Sequence, residues 1–423
     1  MLIGAVADDI TGATDLCLML SRAGLRTIQV IGVPGPATDL SQAEAVVVAL
    51  KSRTIPASDA VAMSLEAARA LQDAGAERLL FKYCSTFDST DAGNIGPVAE
   101  ALMALTGSAL TIACPAFPRA GRTVYQGHLF VGGRLLSDSS MKDHPLTPMR
   151  DADLVRVLGR QTSLPVGLLP IGTIRQGVSA VRAAFAAACA AGTRILIADT
   201  LEDADLVTLG AASADMALVT GGSGIGMGLA LNLAGAGHAA PARMAAPLGR
   251  AAILAGSCSQ ATRGQIATAV AAGLPARRLD VAALADGRET AGDLADWVIA
   301  QPEGQPPLLY SSAEPPELAA IQAQLGRDAA GALVERTLAE VARLLAGAGF
   351  RRFIVAGGET SGAVVTALGV SVLAIGPEIA PGVPWTRSIA GPELALALKS
   401  GNFGGPQFFL TAWSRLEPEA AHV

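Results

Sequence analysis

The chain has 423 residues, of which 51% are hydrophobic, 16% charged and only 4% aromatic. This length exceeds what one compact core usually supports, so we expect two domains. A core made mostly of Ala, Val, Leu and Ile favours helices packed on a parallel sheet. The 31 basic and 37 acidic residues give a net charge of −6. Because no basic run occurs, a nucleic-acid partner is not expected.

The sequence disfavours several other classes of protein. Five cysteines lie apart without a C-x-x-C pair, so we expect reduced thiols in a cytoplasmic protein and no zinc site. Residues 1–7 are apolar but lack a charged start and a cleavage site, which predicts a first strand and no signal peptide. The sequence has no run of about 18 uninterrupted apolar residues, so no membrane span is expected. The four histidines form no H-x-x-x-H pair, and no G-x-S-x-G sequence indicates a serine hydrolase.

Short apolar runs alternate with helical patterns along the whole chain. Predicted helices in the first half include residues 12–23, which end before Gly24 as a C-terminal glycine requires, and residues 58–72. This order predicts an α/β fold in which helices cover both faces of a mostly parallel sheet. Residues 124–136 interrupt the order and predict a small β-hairpin flap. The predicted strands of the first half are residues 2–7, 27–31, 45–50, 78–82, 110–113, 194–198 and 217–219.

A segment of small residues and proline, 234–250, predicts a linker, and we place the domain boundary near Pro241. The N-terminal domain is then residues 1–240 and the C-terminal domain residues 241–423. A second alternation of strands and helices predicts another mostly parallel sheet in the C-terminal domain. Its predicted elements are strands 251–254, 277–281, 307–311, 352–356 and 370–375 and a long helix over 328–348.

Three glycine-rich turns in the C-terminal domain predict a phosphate site. Gly-Gly-Glu-Thr-Ser-Gly at 357–362 lies between a predicted strand and a predicted helix, and the others are residues 255–259 and 399–405. Glycine lets the backbone turn tightly, and the N–H groups at a helix N-terminus attract phosphate. None of the three is a Walker motif, which requires G-x-x-x-x-G-K-[ST]. We therefore predict a nucleotide site of another kind.

A fourth glycine-rich run, residues 221–228, follows a predicted strand as well. It does not fit G-x-G-x-x-G in any register, and no acidic residue follows about 20 positions later, as a dinucleotide site would require. A tight crossing from strand to helix is the favoured interpretation.

Asp8 and Asp9 come directly after the first predicted strand. In an open α/β sheet, ligands bind outside the carboxyl ends of the strands, so a pair of carboxylates there is a candidate site. The alternative is that Asp9 or Thr11 caps the following helix. Adjacent side chains on an extended chain point in opposite directions, so we expect one Asp to face the substrate and the other to cap the helix or orient its neighbour.

Other predicted strands of the N-terminal domain also end in polar residues. Lys82 is followed by Ser85 and Asp88, and Arg53 follows the strand at 45–50. Lysine and arginine bind carboxylates, while serine and aspartate bind hydroxyls, so this set suits a polyhydroxy acid. The alternative is an ordinary polar loop with solvated cations.

Further charged residues follow the strand at 110–113 and the flap. Arg119 and Arg122 either face an anionic substrate or face solvent. His128 in the flap and His144 could approach a substrate, although a single histidine is more often structural or solvated.

These motifs, in this order, resemble the four-carbon acid sugar kinases over essentially the whole chain. Residues 7–13 (Ala-Asp-Asp-Ile-Thr-Gly-Ala) match the opening signature of that family. Residues 82–90, 93–97 and 141–149 look closest to the 3-oxo-tetronate 4-kinase branch. The remaining matching motifs are residues 51–53, 256–259, 357–362 and 399–404.

The resemblance implies an N-terminal domain that binds the sugar acid and a C-terminal domain that binds ATP with Mg²⁺. Asp9 or Asp8 is then the catalytic base, with Asp9 slightly favoured, and Arg53, Lys82, Ser85 and Asp88 bind the substrate. Mg²⁺ should bridge ATP oxygens and need few protein ligands. The oligomeric state is left open, with a homodimer as one option. The residues expected to bind ATP are Ser257, Ser259, Gly357, Gly358, Glu359, Thr360, Ser361, Gly362, Gly401, Asn402, Phe403 and Gly404.

Three alternative functions remain at this point. A threonate or erythronate kinase differs only in the four-carbon acid that it phosphorylates. A nicotinamide-dependent dehydrogenase would share the βαβ units but lacks the glycine fingerprint. A non-catalytic sugar-acid-binding protein of the same fold is the third.

Overall fold

The computed structural model describes residues 1–36, 38–144, 147–234, 243–312 and 325–417. The chain forms two compact units, Met1–Ala240 and Pro241–Val423. Residues 235–242 of the predicted linker at 234–250, including His238, lie outside the described residues. No helix in the described part of the chain is long and apolar enough to cross a membrane.

The first unit is built on a parallel sheet of eight strands in the order β2-β3-β1-β4-β11-β5-β10-β9. The central strands are apolar on both faces, as a sheet covered by helices on both sides requires. The strands are β1 (Ile3–Ala7), β2 (Thr27–Ile31), β3 (Ala45–Ala49), β4 (Leu79–Lys82), β5 (Thr111–Cys114), β9 (Val166–Leu169), β10 (Ile195–Ala198) and β11 (Leu218–Gly221).

The described α-helices of this unit lie between these strands or follow the last of them. They are α1 (Ile10–Arg22), α2 (Ala57–Asp73), α3 (Ile95–Thr106), α4 (Leu154–Gly159), α5 (Ile171–Ile174), α6 (Val178–Ala190), α7 (Asp203–Ala212) and α8 (Ser223–Leu233). The helix predicted over 12–23 begins two residues earlier, because Asp9 accepts the Gly12 N–H and caps it. The predicted glycine stop is confirmed, since Gly24 has a φ of +106° directly after the helix.

The topology of this sheet places a crevice between β1 and β4. From β1 the chain crosses to β2 on one side of the sheet, and from β4 it crosses to β5 on the other. Adjacent strands whose connections run in opposite directions leave a gap outside their carboxyl ends, where ligands bind in open α/β sheets. Asp8 and Lys82 stand at these two strand ends.

The predicted flap is an antiparallel sheet of β6 (Arg122–Tyr125), β7 (His128–Val131) and β8 (Arg134–Leu135). The hairpin is therefore confirmed, and a short third strand extends it. Gln126 and Gly127 form its two-residue turn with φ values of +50° and +74°, the left-handed conformation that such hairpins favour. The Asp199 carboxylate accepts both of their N–H groups, at 2.9 Å each, and so ties the flap to the end of β10.

The second unit contains a seven-stranded sheet in the order β13-β14-β12-β15-β18-β17-β16. Among the described strands of this sheet, β17 alone runs opposite to the others. The strands are β12 (Arg250–Ala255), β13 (Ala276–Arg278), β14 (Leu308–Tyr310), β15 (Phe350–Ala356), β16 (Val372–Ala380), β17 (Val383–Ala390) and β18 (Ala395–Lys399). Its described helices of more than one turn are α9 (Gln260–Ala271), α10 (Val281–Asp286), α11 (Ala291–Ile299), α12 (Arg327–Gly347), α13 (Gly358–Ala367) and α14 (Phe408–Thr411).

Two predicted strands of this unit differ from the observed ones. The strand at 277–281 stops at Arg278, because the Asp280 carboxylate accepts the Ala283 N–H at 2.9 Å and starts α10. The strand at 370–375 continues to Ala380 because β17 pairs with it as an antiparallel hairpin.

Candidate functional site

A buried ion cluster lies at the carboxyl ends of β1, β3 and β4 in the first unit. The Arg53 guanidinium binds Asp8 with both branches, with Nε at 2.9 Å from Oδ2 and Nη2 at 2.7 Å from Oδ1. The same Nη2 lies 2.6 Å from Oδ1 of Asp9, and Nη1 lies 3.8 Å from Oδ2 of Asp88. The structure thus brings together four of the six residues predicted for catalysis and substrate binding.

Asp8 and Asp9 occupy different electrostatic environments. Burial raises the pKa of Asp8, although Arg53 acts against this shift. Burial acts in the same sense on Asp9, but Arg53, Lys82, the Thr11 hydroxyl and the Gly12 N–H together outweigh it and lower the pKa of Asp9. The structure gives Asp9 the capping role, since its oxygens accept the Gly12 N–H at 3.2 Å and the Thr11 hydroxyl at 2.8 Å.

Lys82 ends β4 and is almost fully buried, with 3% of its surface exposed. Among the described residues, its ammonium makes one hydrogen bond, to the carbonyl of Tyr83 at 2.9 Å. Its charge lowers the pKa values of Asp8, Asp9 and Asp15, which places it beside the ion cluster. Two of its three N–H donors therefore remain for a ligand.

The loop after β4 carries the other two predicted substrate residues. Asp88 accepts the Thr86 hydroxyl at 2.6 Å, while the half-buried Ser85 has no side-chain hydrogen bond to any residue that the structure describes. Phe87 adopts a positive φ of +53°, and its fully buried ring stacks edge-on against Tyr83. A bulky residue in this conformation is strained, and such strain is concentrated at functional sites.

Asn94, which the sequence did not single out as a site member, and His144, which it named as a residue that could approach the substrate, lie around this cluster. The Asn94 amide donates to the carbonyls of Ser52, Arg53 and Ile55 at 2.7, 3.2 and 3.0 Å, which fixes the loop that carries Arg53. Burial lowers the pKa of His144, on which the charges of Asp88 and Arg53 also act, so this imidazole lies near the cluster.

Asp15 is a fourth carboxylate near the crevice, and it was also missed as a site residue. Its Oδ2 accepts the Ser223 hydroxyl, and its buried Oδ1 has no hydrogen-bond partner in the described residues. Burial raises its pKa to about 6, against the influence of Lys82. The sequence did contain a signal for Asp15, because it is an acidic residue one helical turn after Thr11 in a mainly apolar helix.

The glycines within residues 221–228 allow close packing. This agrees with the tight strand-to-helix crossing that the sequence favoured. A Cβ at Gly224 would lie 2.4 Å from the Ala116 carbonyl, and one at Gly228 would lie 2.1 Å from the Leu206 carbonyl. Helix α8 could not approach its neighbours so closely with larger residues. Arg119 forms an ion pair with Asp203 and is half-exposed.

In the second unit, the three glycine-rich turns pack against one another. The Gly357 N–H donates to the Lys399 carbonyl at 2.8 Å, and Gly357 has a φ of +128° that a larger residue rarely adopts. A Cβ at Gly256 would lie 2.1 Å from Oγ1 of Thr360, and one at Gly401 would lie 2.3 Å from Oγ of Ser257. The three turns therefore form one surface of backbone at the carboxyl ends of β12, β15 and β18, which we call the turn surface.

The predicted segment 357–362 is mostly helix rather than loop. Helix α13 begins at Gly358, and its first recorded internal bond runs from the Ser361 N–H to the Gly357 carbonyl at 2.8 Å. The N–H groups of Gly358 and Thr360 consequently have no acceptor within the helix. Gly358 and Glu359 reach the surface, whereas Thr360, Ser361 and Gly362 are buried.

The turn at 399–404 is fixed by side chains that donate to its carbonyls. The Gly401 oxygen accepts the Ser259 hydroxyl at 2.6 Å, the Thr262 hydroxyl at 2.9 Å and the Lys399 ammonium at 3.0 Å. The Gln265 amide holds the carbonyls of Phe403 and Gly404 at 3.0 and 2.9 Å. Ser259 also caps α9, so its hydroxyl is engaged within the protein, while Asn402 is exposed.

Comparison with known protein families matches both units. Residues 3–229 match the model of the sugar-binding N-terminal domain, and residues 252–409 match that of the nucleotide-binding C-terminal domain. Each match contains the polar cluster or the turn surface described above.

Curated relatives match over nearly their whole length. A 3-oxo-tetronate kinase of Burkholderia multivorans is 55% identical, covering 99% of this chain and 98% of the relative. That of Cupriavidus necator is 54% identical, with 98% and 97% covered, and that of Salmonella typhimurium is 44% identical, with 97% and 98% covered.

Solved structures share the fold. A Salmonella typhimurium LT2 protein, provisionally described as a tRNA synthase, has a TM-score of 0.87 at 43% identity, with 98% of this chain and 99% of that chain covered. The Haemophilus influenzae protein HI1011 has a TM-score of 0.78 at 41% identity, with 98% and 100% covered. With two matching domain models and full-length relatives that are kinases, the chain belongs to the four-carbon acid sugar kinase family and is a nucleotide-dependent kinase.

Proposed function

We propose that this kinase transfers the γ-phosphoryl group of ATP to the terminal hydroxyl of 3-oxo-tetronate and forms the 4-phosphate. The observation that carries the proposal is the chemistry of the two sites. The first unit holds a buried cluster of cations and carboxylates suited to a small hydroxy acid, and the second holds a backbone surface suited to phosphate. The names of the full-length relatives support the choice of acid.

Lys82 is the first choice for binding the substrate carboxylate. Arg53 already binds Asp8, Asp9 and Asp88, so much of its charge is balanced within the protein. Lys82 faces the same cluster with two donors unused, and a charge-assisted hydrogen bond to a carboxylate is strong. Arg53 then orients the carboxylates, and its outer edge contributes to the same anion site.

The substrate hydroxyl groups are proposed to bind Ser85, Asp88 and the adjacent pair Asp8 and Asp9. Ser85 has its hydroxyl available, and Asp88 is held in place by Thr86 and Arg53. We assign the proton-accepting role to Asp8, because Asp9 is committed to capping α1 and its lowered pKa makes it the weaker base. The slight preference for Asp9 from the sequence is thereby reversed in the proposal.

The turn surface of the second unit is proposed to bind the nucleotide. Backbone N–H groups of Gly358 and Thr360, the Ser257 turn and the exposed edge of residues 401–404 are the groups offered to phosphate oxygens. No cluster of three or more His, Cys, Asp or Glu side chains in the described ranges could hold a metal ion. We propose that Mg²⁺ is bound mainly by ATP oxygens and keeps most of its waters, as is usual for this ion.

The division of labour follows from these assignments. Residues 1–240 are proposed as the sugar-acid domain and residues 241–423 as the nucleotide domain.

The five free cysteines support a reducing, cytoplasmic setting. The net charge of −6 without a basic run argues against tRNA as a substrate. A homodimer stays a proposal that sizing in solution would test.

A substrate panel tests the proposed function. The purified protein is incubated with ATP, Mg²⁺ and 3-oxo-tetronate, threonate or erythronate, and phosphorylated product is identified by mass spectrometry. We expect turnover of 3-oxo-tetronate with the highest kcat/KM. Preference for threonate or erythronate would select the sister activity, and phosphorylation of no acid would favour a binding protein. A parallel assay with NAD and NADP checks the dehydrogenase alternative, and the Asp8→Asn variant serves as the matched low-activity control.

A further inference from the structure

Lys399 ends β18 beneath the turn surface of the second unit, and its side chain is completely buried. Its ammonium donates to three oxygens, namely Oγ1 of Thr262 at 3.1 Å and the carbonyls of Ser400 and Gly401 at 3.0 Å each. The ring of Phe408 lies 6.0 Å away. All of these partners are neutral, so they satisfy the hydrogen-bonding needs of the ammonium without balancing its charge.

Burying an unbalanced charge is costly, and here the surroundings add to the cost. Removing a cation from water costs several kcal/mol unless an opposite charge compensates it. Thr262 lies in the first turn of α9, so the ammonium is close to the positive end of that helix. Lys82, the other buried lysine, differs because the carboxylates of Asp8 and Asp9 are close enough to interact with it. Among the described residues, none forms an ion pair with Lys399.

The charged and titratable groups on the surrounding elements do not remedy this. On the flanking strands they are Arg351 and Arg352 of β15 and Arg387 of β17, all of them cations. Around the turns they are Arg263 on α9, Cys258 in the turn before it and Glu359 in the first turn of α13. Arg263 donates to the carbonyl of Cys258 at 2.6 Å and is itself a cation. Burial alone lowers the pKa of Lys399 to about 7, without a contribution from any of these groups.

We propose that Lys399 is the buried positive charge of the nucleotide site and that the phosphates of the bound nucleotide supply its counter-charge. Nucleotide binding is then coupled to the uptake of one proton from solvent by the Lys399 amine. The ammonium acts through its field and through the Gly401 carbonyl that it holds, so it is a positioning residue rather than a catalytic one. This inference rests on the proposed function, because it requires a nucleotide on the turn surface.

Proton uptake distinguishes this role from a purely structural one. Binding of a non-hydrolysable ATP analogue with Mg²⁺ is measured calorimetrically at pH 8 in HEPES and in Tris, whose ionisation heats differ. At this pH about nine-tenths of the Lys399 side chains are neutral before binding, given the pKa of about 7. We expect uptake approaching one proton per nucleotide at pH 8 and only a small uptake at pH 6. Equal heats in both buffers at pH 8 would overturn the proposal.

Substitutions at Lys399 test whether this residue takes up the proton when the nucleotide binds. Lys399→Arg keeps a permanent charge and should bind nucleotide without proton uptake, while Lys399→Met should lose uptake and on the order of 10-fold or more in affinity. Lys142→Met removes an exposed lysine and should behave as the wild type. Uptake that persists in Lys399→Arg would contradict the proposal.

If neither variant folds, the pH profile of uptake in the wild type still decides, since uptake should rise from pH 6 to pH 8. A wild type that phosphorylates a sugar acid without proton uptake refutes this inference alone, whereas one that binds no nucleotide refutes the proposed function as well.

Discussion

Arg53 holds Asp8 in a two-pronged ion pair, with Nε and Nη2 at 2.9 and 2.7 Å from the two carboxylate oxygens. The pair joins residues from β1 and from the loop after β3, and the backbone repeats the connection, since the Asp8 carbonyl accepts the N–H groups of Ser52 and Arg53. Only 8% of the Asp8 side chain is exposed in this pair. Removing Arg53 would leave the Asp8 carboxylate without this ion pair, whereas removing Asp8 would leave Arg53 paired with Asp9 and Asp88. The relationship makes Asp8 a well-positioned group whose basicity is set by the competition between burial and Arg53.

Asparagine substitutions separate the roles of the two adjacent aspartates. Asp8→Asn should lower kcat by roughly 10²- to 10⁴-fold, the usual contribution of a positioned base. Asp9→Asn should change stability by at most about 0.5–2 kcal/mol, because asparagine also caps helices well. Steady-state kinetics and thermal melts on both variants check this. Full activity in Asp8→Asn, or the larger loss of kcat in Asp9→Asn, would contradict the assignment.

Replacing Lys82 tests the anion site of the first unit. Lys82→Met keeps a long buried side chain but removes the ammonium, so the affinity for the sugar acid should fall roughly 10- to 150-fold through the loss of one charge-assisted hydrogen bond. Nucleotide affinity should stay the same. Calorimetric titration with each ligand measures both, and the exposed Lys142→Met is the control. Equal weakening of both ligands would instead place Lys82 against the transferred phosphoryl group.

The predictable part of the fold follows from local signals. Buried strands of Val, Ala and Leu such as β3 show an uninterrupted apolar run, and Gly24 marks the end of α1, so both appear in the sequence. The turn surface was predictable for the same reason, since glycines between a strand and a helix are a local pattern. Strand β17 was missed because an antiparallel strand depends on pairing that the sequence does not display.

The composition of the site was harder to predict than its location. Strand ends pointed to Asp8, Arg53 and Lys82, but the sequence could not show that Arg53 is already bound by three carboxylates. Lys399 was seen only as part of a glycine motif. Its burial without a counter-charge depends on α9 and α14, which are distant in sequence. Tertiary contacts of this kind decide protonation and ion pairing, and no local pattern encodes them.

Glycine substitutions test the phosphate surface of the second unit. Gly358→Val puts a branched side chain at the start of α13 where backbone is proposed to meet phosphate, so the KM for ATP should rise at least 10-fold with the fold retained. Gly401→Ala should also raise the KM for ATP, because its Cβ would lie 2.3 Å from Oγ of Ser257 and would displace that hydroxyl. Gly331→Ala, within α12, meets no atom within 4 Å and is the matched control. Unchanged ATP dependence in Gly358→Val would remove this turn from the nucleotide site.

The last prediction concerns the dependence of stability on pH through Asp15. Burial raises the pKa of Asp15 from 3.8 to about 6, so the folded protein retains a proton that the unfolded chain loses. Stability from this residue is therefore fully present below about pH 4 and is lost as pH rises towards 6 and above, by up to about 2–3 kcal/mol. Asp15→Asn cannot ionise, so its melting temperature relative to the wild type should increase between pH 4.5 and pH 7.5, by roughly 4–10 °C. The exposed Asp73→Asn should show no such trend. A difference between Asp15→Asn and wild type that is constant with pH would show that Asp15 is already ionised at low pH, held by Lys82 and Ser223 more firmly than its burial opposes.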